Sequence, residues 1–295
     1  SPIWNSDDYG FHHGAVWYRG HFKATGHETG IILGADMGVH LGNHGVFTVW
    51  LNGQYLGSNP SSSQLFNIDP SWLQPGKDNV LAVLVDNMGH NQEERNGVTK
   101  EPHGLYKATF LGSDAAILWR MQGNLGGEDG IDKTRGPFNN GGLHGERMGW
   151  SLPGFDDKSW KDATLPSTAN EAGVQWYRTS VTLDLPQGQD IPIALKIEDS
   201  AERPYRALIF INGWQVGRYI NDVGPQHEFE LPAGLLHAHG SNTIAIASWS
   251  TAAGGGLGKV SLVAQGNVTT SLKIEDVAAP GYRDLEGKIK ASSGR

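Results

Sequence analysis

Few side chains of this 295-residue chain stand at spacings that chemistry would use. The run Ala253-Gly254-Gly255-Gly256-Leu257-Gly258-Lys259 imitates a phosphate-cradling loop. Such a loop needs Ser or Thr after the Lys to hold magnesium, and a helix whose amides face the phosphates. Here Val260 and a strand pattern follow, so the run predicts a hairpin loop. Gly149-Trp150-Ser151-Leu152-Pro153 approaches a nucleophile elbow and fails at its fifth position, where Pro stands for Gly. His237 and His239 alternate as metal ligands on a strand would, but Gly240 marks a turn and no acid lies beside them. No metal site and no cofactor are expected. Glycoside cleavage needs two carboxyl groups at a defined separation. Glu93-Glu94, Asp156-Asp157 and Glu198-Asp199 read instead as solvated turn or edge charges, and no catalytic residue is assigned. Arg203, Tyr205 and Trp214 flank an Asn212-Gly213 turn. Aromatic faces stack on the C–H groups of a pyranose and a guanidinium donates to hydroxyls, so these three are the sugar-binding candidates. Packing between domains is the simpler use of the same three residues. Asn267-Val268-Thr269 is the one glycosylation candidate, because Asn59 is followed by Pro60.

The elements that would position these groups occur twice. Trp17-Tyr18-Arg19 returns as Trp176-Tyr177-Arg178, an offset of 159. Val46 to Leu51 with Asn52-Gly53 returns as Arg206 to Ile211 with Asn212-Gly213, and Gly57 returns as Gly217, all at offset 160. Asn79-Val80-Leu81-Ala82-Val83 returns as Asn242 to Ile246, offset 163, and Gly104-Leu105-Tyr106-Lys107 as Gly256 to Lys259, offset 152. A repeat of this length is a whole domain, well beyond a solenoid unit of roughly 20–50 residues. Within the first copy, 15–24, 30–35, 46–52, 64–68, 79–86 and 105–111 are apolar or alternating runs separated by Gly, Asn, Pro or His, the pattern of short strands. Asn-Gly tolerates the two positive φ angles of a type I′ turn and predicts a hairpin in each copy. Short strands without βαβ alternation imply an all-β chain of two antiparallel β-sandwiches or jelly rolls. At the head of the second copy, Asp156-Asp157-Lys158-Ser159-Trp160 sets a Trp after an Asp-rich turn, a common start of a galactose-binding-domain-like jelly-roll β-sandwich.

The expected boundaries are a first module over 1–118, a Gly-rich crossing over 119–150, a second module over 151–270 and a C-terminal tail over 271–295. Trp119, Phe138 and Trp150 would pin the crossing, whose apolar content is low for a core strand. The first copy also carries an 11-residue insertion within 88–103, a long polar loop of the kind that carries function or a partner contact. A net charge of −8 without any basic run argues against nucleic acid, and no apolar segment approaches the ~18 residues of a membrane span. With no Cys, disulfide scaffolds and thiol nucleophiles are excluded.

Read in order, Ser6-Asp7-Asp8-Tyr9-Gly10-Phe11-His12, Trp17 to Phe22, Val49 to Gly53, Leu56-Gly57 and Val85 to His90 carry a family resemblance. Gly123-Asn124-Leu125-Gly126-Gly127 and the stretch from Gly141-Gly142-Leu143 to Gly149-Trp150 extend it. Together they resemble the C-terminal jelly-roll region of fungal β-galactosidases of glycoside hydrolase family 35, through about Val263. The resemblance implies a secreted, retaining enzyme acting on terminal β-galactosyl groups. Its two catalytic glutamates sit on a (β/α)₈ barrel whose segments do not occur in this sequence. This chain would then be a non-catalytic accessory region with the barrel as partner and galactosides as a further ligand. The other readings are a stand-alone, lectin-like carbohydrate-binding module and a self-sufficient hydrolase with an unfamiliar site.

Overall fold

The computed structural model describes residues 4–12, 14–36, 45–60, 63–87, 103–124, 142–221, 223–224, 226–266 and 268–269. Asn267, Phe138, the tail from 271 and all of the 88–103 loop but His103 lie outside the described residues. The chain divides into two compact units, with the described residues 4–124 and 142–144 in the first and those from 145 onward in the second.

Among the described residues, nine strands build the first unit: β1 (Trp4–Asn5), β2 (Gly14–Lys23), β3 (Gly30–Asp36), β4 (Phe47–Leu51), β5 (Gln54–Asn59), β6 (Ser63–Asn67), β7 (Asp78–Asn87), β8 (Gly104–Leu111) and β9 (Leu118–Gln122). They form a five-stranded sheet, β5-β4-β7-β2-β9, and a four-stranded one, β1-β8-β3-β6, with antiparallel ladders throughout. Alternation along β2 sends Tyr18 and Phe22 inward, where they meet Ile31 and Leu33 of β3, Val49 and Leu51 of β4, and Leu81 and Val83 of β7. Asn52 and Gly53 take φ of 49° and 84°, as a type I′ hairpin turn requires, and turn β4 into β5.

After a single helical turn, α1 (His144–Arg147), the second unit repeats the plan. Its strands are β10 (Gly173–Asp184), β11 (Gln189–Asp190), β12 (Ile193–Glu198), β13 (Tyr205–Ile211), β14 (Trp214–Ile220), β15 (Glu228–Leu231), β16 (His239–Ser250), β17 (Lys259–Ala264) and β18 (Val268–Thr269). Sheet β10-β16-β13-β14 matches β2-β7-β4-β5, and sheet β15-β12-β17 matches β6-β3-β8; β11 and β18 form a separate two-stranded ladder. The correspondence reaches single residues. Asn212 and Gly213 take φ of 49° and 91°, and both hairpins carry a register shift at the same place, between Val49 and Trp50 and between Ile209 and Phe210. Trp17 packs on Trp50 and Trp176 on Phe210, each pair with ring centroids 5.6 Å apart. The chain is thus two antiparallel β-sandwiches of one design.

Two details differ from the sequence reading. Leu118–Gln122, at the head of the expected crossing, is a strand that pairs along β2, and Trp119 packs against Trp4 within the first unit. The glycine run 253–258 does not close a hairpin. It carries the chain from β16 in one sheet to β17 in the other, and Gly255, Gly256 and Gly258 are set by close approach. A Cβ on Gly256 would lie 2.5 Å from the Ser167 carbonyl oxygen, and one on Gly258 2.8 Å from the Asp199 side chain. No helix among the described residues is long and apolar enough to cross a membrane.

Gly57 and Gly217 each lie against a Phe ring of the facing sheet. A Cβ on Gly57 would stand 2.9 Å from the Phe66 ring, and one on Gly217 2.5 Å from the Phe229 ring, both rings being buried. Gly57→Ala and Gly217→Ala should each lower the unfolding free energy of their own unit by about 1–3 kcal/mol, since overpacking costs that much in a filled core. Denaturant melts of each variant check this, and unchanged midpoints would show that the facing rings move aside freely.

Candidate functional site

The structure brings together two of the three expected sugar-binding residues and separates the third. Tyr205 opens β13 and Trp214 opens β14, at opposite ends of the hairpin. With ~3.3 Å per strand residue, that places them on the order of 20 Å apart. A turn in sequence brings neighbours close only at its tip, and Tyr205 is seven residues from Asn212. Arg203 does lie with Tyr205, its guanidinium 5.5 Å from the ring centre. Its Nη2 donates to the carbonyl oxygens of Ser167 and of Gly255, the latter at 3.0 Å.

Tyr205 is only 3% exposed, so its ring offers no face to a sugar. Its hydroxyl donates to the Asp199 carboxylate and accepts from the Gly258 amide at 3.2 Å. Tyr219 donates to the other Asp199 oxygen at 2.6 Å. His227 Nδ1 lies 3.1 Å from the Ile197 carbonyl oxygen, which can only accept, so this nitrogen carries the proton. A groove of about 560 Å³ lies beside this cluster, lined by Lys196, Glu198, Asp199, His227 and Glu228 among others. Lys196 reaches Glu228 at 3.4 Å and Lys259 reaches Glu198 at the same distance, so cations neutralise the groove's glutamates. Burial first, and then the bond to the Asp199 carboxylate, push the Tyr205 and Tyr219 hydroxyls well above the usual phenol range. Such protons are held tightly. The cluster therefore joins β13, β14 and the loop after β12, and its two phenols give up no proton near neutrality.

A second cluster escaped the sequence reading. Arg178 on β10 donates through Nε to Asp157 at 2.9 Å and through Nη1 to the carbonyl oxygens of Trp150 and Leu152. Its guanidinium stands 5.3 Å from the Phe155 ring centre. Trp150 meets Trp160 and Trp176 edge to face, with centroids 5.4 and 5.9 Å apart, and Phe155 meets Trp160 at 5.7 Å. Charge, cation–π contact and aromatic packing thus fasten residues 150–160 onto β10. The available signal was the repeated Trp-Tyr-Arg motif followed back to the Asp-rich turn before Trp160.

Other titratable groups have local partners. Glu28 is buried in the first unit, where its carboxylate accepts from the Thr25 and Gly26 amides and the Thr25 hydroxyl at 2.8–2.9 Å. Burial alone would raise its pKa; the hydrogen bonds outweigh that and draw it down to about 2, the reverse of a general acid. His237 Nδ1 donates to the Ser241 carbonyl oxygen, whereas His239 pairs with Asp184 at 2.8 Å. No group of three His, Cys, Asp or Glu side chains among the described residues is placed to hold a metal ion.

A doubled all-β architecture of this kind matches a known family. The model of the β-galactosidase second all-β domain matches residues 1–91 and 144–254, one stretch in each half of the chain. The chain is 40% identical over 294 residues to β-galactosidase A of Aspergillus niger, covering 96% of this chain and 29% of that protein. It is 38% identical to a probable β-galactosidase E of Aspergillus fumigatus and 37% identical to a β-galactosidase A of a Penicillium species, with the same coverage. This chain belongs to the all-β domain family of β-galactosidases. It spans about three-tenths of the length of the curated relatives it matches.

Burial of the phenols has a measurable consequence. Their folded pKa lies above the unfolded value of 10.0, so their bonds are intact below pH 10 and are lost only as pH rises through the folded value. Tyr18, buried and donating to the Trp4 carbonyl oxygen, is raised in the same way. In an ultraviolet alkaline titration of the 8 tyrosines, Tyr18, Tyr205 and Tyr219 should ionise only together with unfolding. Ionisation of all eight in a protein that keeps its circular dichroism would contradict the cluster.

Proposed function

We propose that this chain is a non-catalytic accessory region of a retaining β-galactosidase that hydrolyses terminal β-galactosyl groups. In this reading it packs on a catalytic barrel absent from the chain, shapes the approach to the barrel's mouth, and works outside the cell with its parent. The observation that carries the reading is the coverage: 96% of the chain matches proteins named β-galactosidases, yet accounts for only 29% of them. The disposition of its carboxylates agrees. Asp199 accepts from two phenols, Glu28 closes a turn, and Glu198 and Glu228 are paired with lysines. A retaining glycosidase instead sets two carboxyl groups ~5–5.5 Å apart across the scissile bond, one of them with a raised pKa. The alternative of a stand-alone carbohydrate-binding module draws no support from Arg203, Tyr205 and Trp214, since the first two form a structural cluster far from the third.

Purified chain assayed with a chromogenic β-galactoside should show no turnover. Added to a separately produced barrel of an Aspergillus relative, it should raise the barrel's thermal midpoint. Turnover that follows the chain through purification and disappears on substitution of one of its carboxylates would overturn the proposal.

A further inference from the structure

Asparagine followed by glycine is a dipeptide that modifies itself, because glycine has no side chain to keep its backbone nitrogen from the preceding amide carbon. The sequence contains Asn52-Gly53, Asn96-Gly97, Asn140-Gly141 and Asn212-Gly213. The first and last stand at the tips of the two central hairpins, with φ of 49° at each asparagine. The chemistry is a ring closure. The glycine backbone nitrogen bonds to the asparagine Cγ, the Cγ–Nδ2 bond breaks, and ammonia leaves carrying the proton from the glycine amide. Water then opens the five-membered imide at either carbonyl and leaves aspartate or isoaspartate. Nothing is oxidised or reduced, and water is the only co-reactant.

In each folded unit the reacting amide is held. Asn52 Nδ2 donates to Asn79 Oδ1 and to the Trp72 carbonyl oxygen, and Asn52 Oδ1 accepts from the Val80 amide. Asn212 makes the same three bonds with Asn242, Leu235 and Thr243. Ring closure pulls Cγ towards the glycine nitrogen and turns the amide plane, which costs these bonds. The reaction therefore waits for local opening. Exclusion of water is not the shield: Gly53 is exposed, and a Cβ on it would meet nothing within 4 Å.

We propose that Asn52 and Asn212 are self-deamidation sites that the fold closes and unfolding opens, and that conversion at either one prevents its unit from refolding. The product lacks the donor on which the amide pair depends. A carboxylate at position 52 sets an oxygen against Asn79 Oδ1 and the Trp72 carbonyl oxygen, three acceptors with no proton among them. Asn79 cannot turn its own amide to supply one. Its Oδ1 also accepts from the Gln74 amide at 2.9 Å, and its Nδ2 donates to the Gln74 and Lys77 carbonyl oxygens at 3.0 and 2.9 Å. Asn242 is committed in the same way. Its Oδ1 accepts from the His237 amide at 2.8 Å, and its Nδ2 donates to the His237 and Gly240 carbonyl oxygens at 3.0 and 3.4 Å. Both partners are fully buried, so no solvent proton reaches their Oδ1 atoms. Isoaspartate adds a carbon to the backbone as well, which breaks the strand register at the tip. The turn alone does not exclude the acid, since Asp-Gly suits a type I′ turn as Asn-Gly does. The amide pair excludes it.

The full chain is kept in mildly alkaline buffer, folded or unfolded in guanidinium chloride, and conversion at each Asn-Gly is followed by peptide mass spectrometry. In the unfolded chain Asn52 and Asn212 should convert at rates comparable to Asn96 and Asn140. In the folded chain they should convert at least ~10-fold more slowly than in the unfolded one, because the reaction waits for opening. Chain aged in the unfolded state is then diluted into buffer, and the refolded fraction is separated from the rest. Conversions at Asn52 and Asn212 should be at least ~10-fold rarer in the refolded fraction, since buried acceptors left without a donor cost that much or more. Equal division between the two fractions is what a role in the turn alone predicts. No conversion at these residues in the unfolded chain, equal rates in the folded and unfolded chain, or equal division on refolding would each overturn the proposal. None of these outcomes touches the accessory role, which the turnover assay tests separately.

Discussion

Each sandwich is held at one point by a pair of side-chain amides. A type I′ turn needs a left-handed residue, and Asn52 and Asn212 fill that position at the tips of the two central hairpins. Their side chains then do more than permit the turn. Asn52 Nδ2 donates to Asn79 Oδ1 at 2.7 Å and to the Trp72 carbonyl oxygen at 2.8 Å, and Asn52 Oδ1 accepts from the Val80 amide at 2.9 Å. Asn212 repeats all three bonds with Asn242, Leu235 and Thr243 at 2.7–2.9 Å. Asn79 and Asn242 complete the arrangement by donating back to the loop that leads into their own strand. Both donors of each buried amide are satisfied, which removes the desolvation cost such groups carry in a core. The hairpin tip, the adjacent strand and its entry loop are thereby fixed in one register. From that register follow the shared bulge, the contact of Gly57 and Gly217 with the facing Phe rings, and the alternation that fills the core.

This constraint also marks how much the sequence reveals. Asn-Gly and the recurring Asn at 79 and 242 are visible as text, and they suffice for the hairpins, the repeat and the sandwich class. That the two asparagines of a pair bond to each other is not visible, because 27 and 30 residues separate them and only the folded sheet brings them together. The same limit explains β9. Leu118-Trp119-Arg120-Met121-Gln122 is short and half polar, and its pairing with β2 depends on a neighbour a hundred residues earlier. Arg203, Tyr205 and Trp214 look adjacent to one turn, but strand pairing sends Tyr205 to the far end of the hairpin. There its partner is Asp199, a carboxylate that composition alone assigned to solvent. Arg178 stood in a repeated motif, yet its partners Asp157, Trp150 and Leu152 come from residues more than twenty positions earlier, which only folding brings beside it.

The functional reading rests on how the charged and aromatic groups are used. Glu28 closes a turn, Asp199 bridges strands through two phenols, and Arg178 fastens residues 150–160 to β10. Glu28 is held ionised and the tyrosines are held neutral. Groups poised for catalysis show the opposite, with pKa values brought towards the working pH. Commitment of these groups to positioning their own strands agrees with the accessory role proposed above.

A double-mutant cycle at each amide pair tests the shared architecture most directly. Asn52→Ala, Asn79→Ala and their combination are compared with Asn212→Ala, Asn242→Ala and theirs, by equilibrium denaturation of the full chain with a spectroscopic signal from each unit. Side chains in one hydrogen-bond network couple by ~0.5–3 kcal/mol. If one module is built twice on one lock, the two coupling energies should fall in that range and agree within about 0.5 kcal/mol. Additive single substitutions in either unit, or strong coupling in one and none in the other, would contradict it.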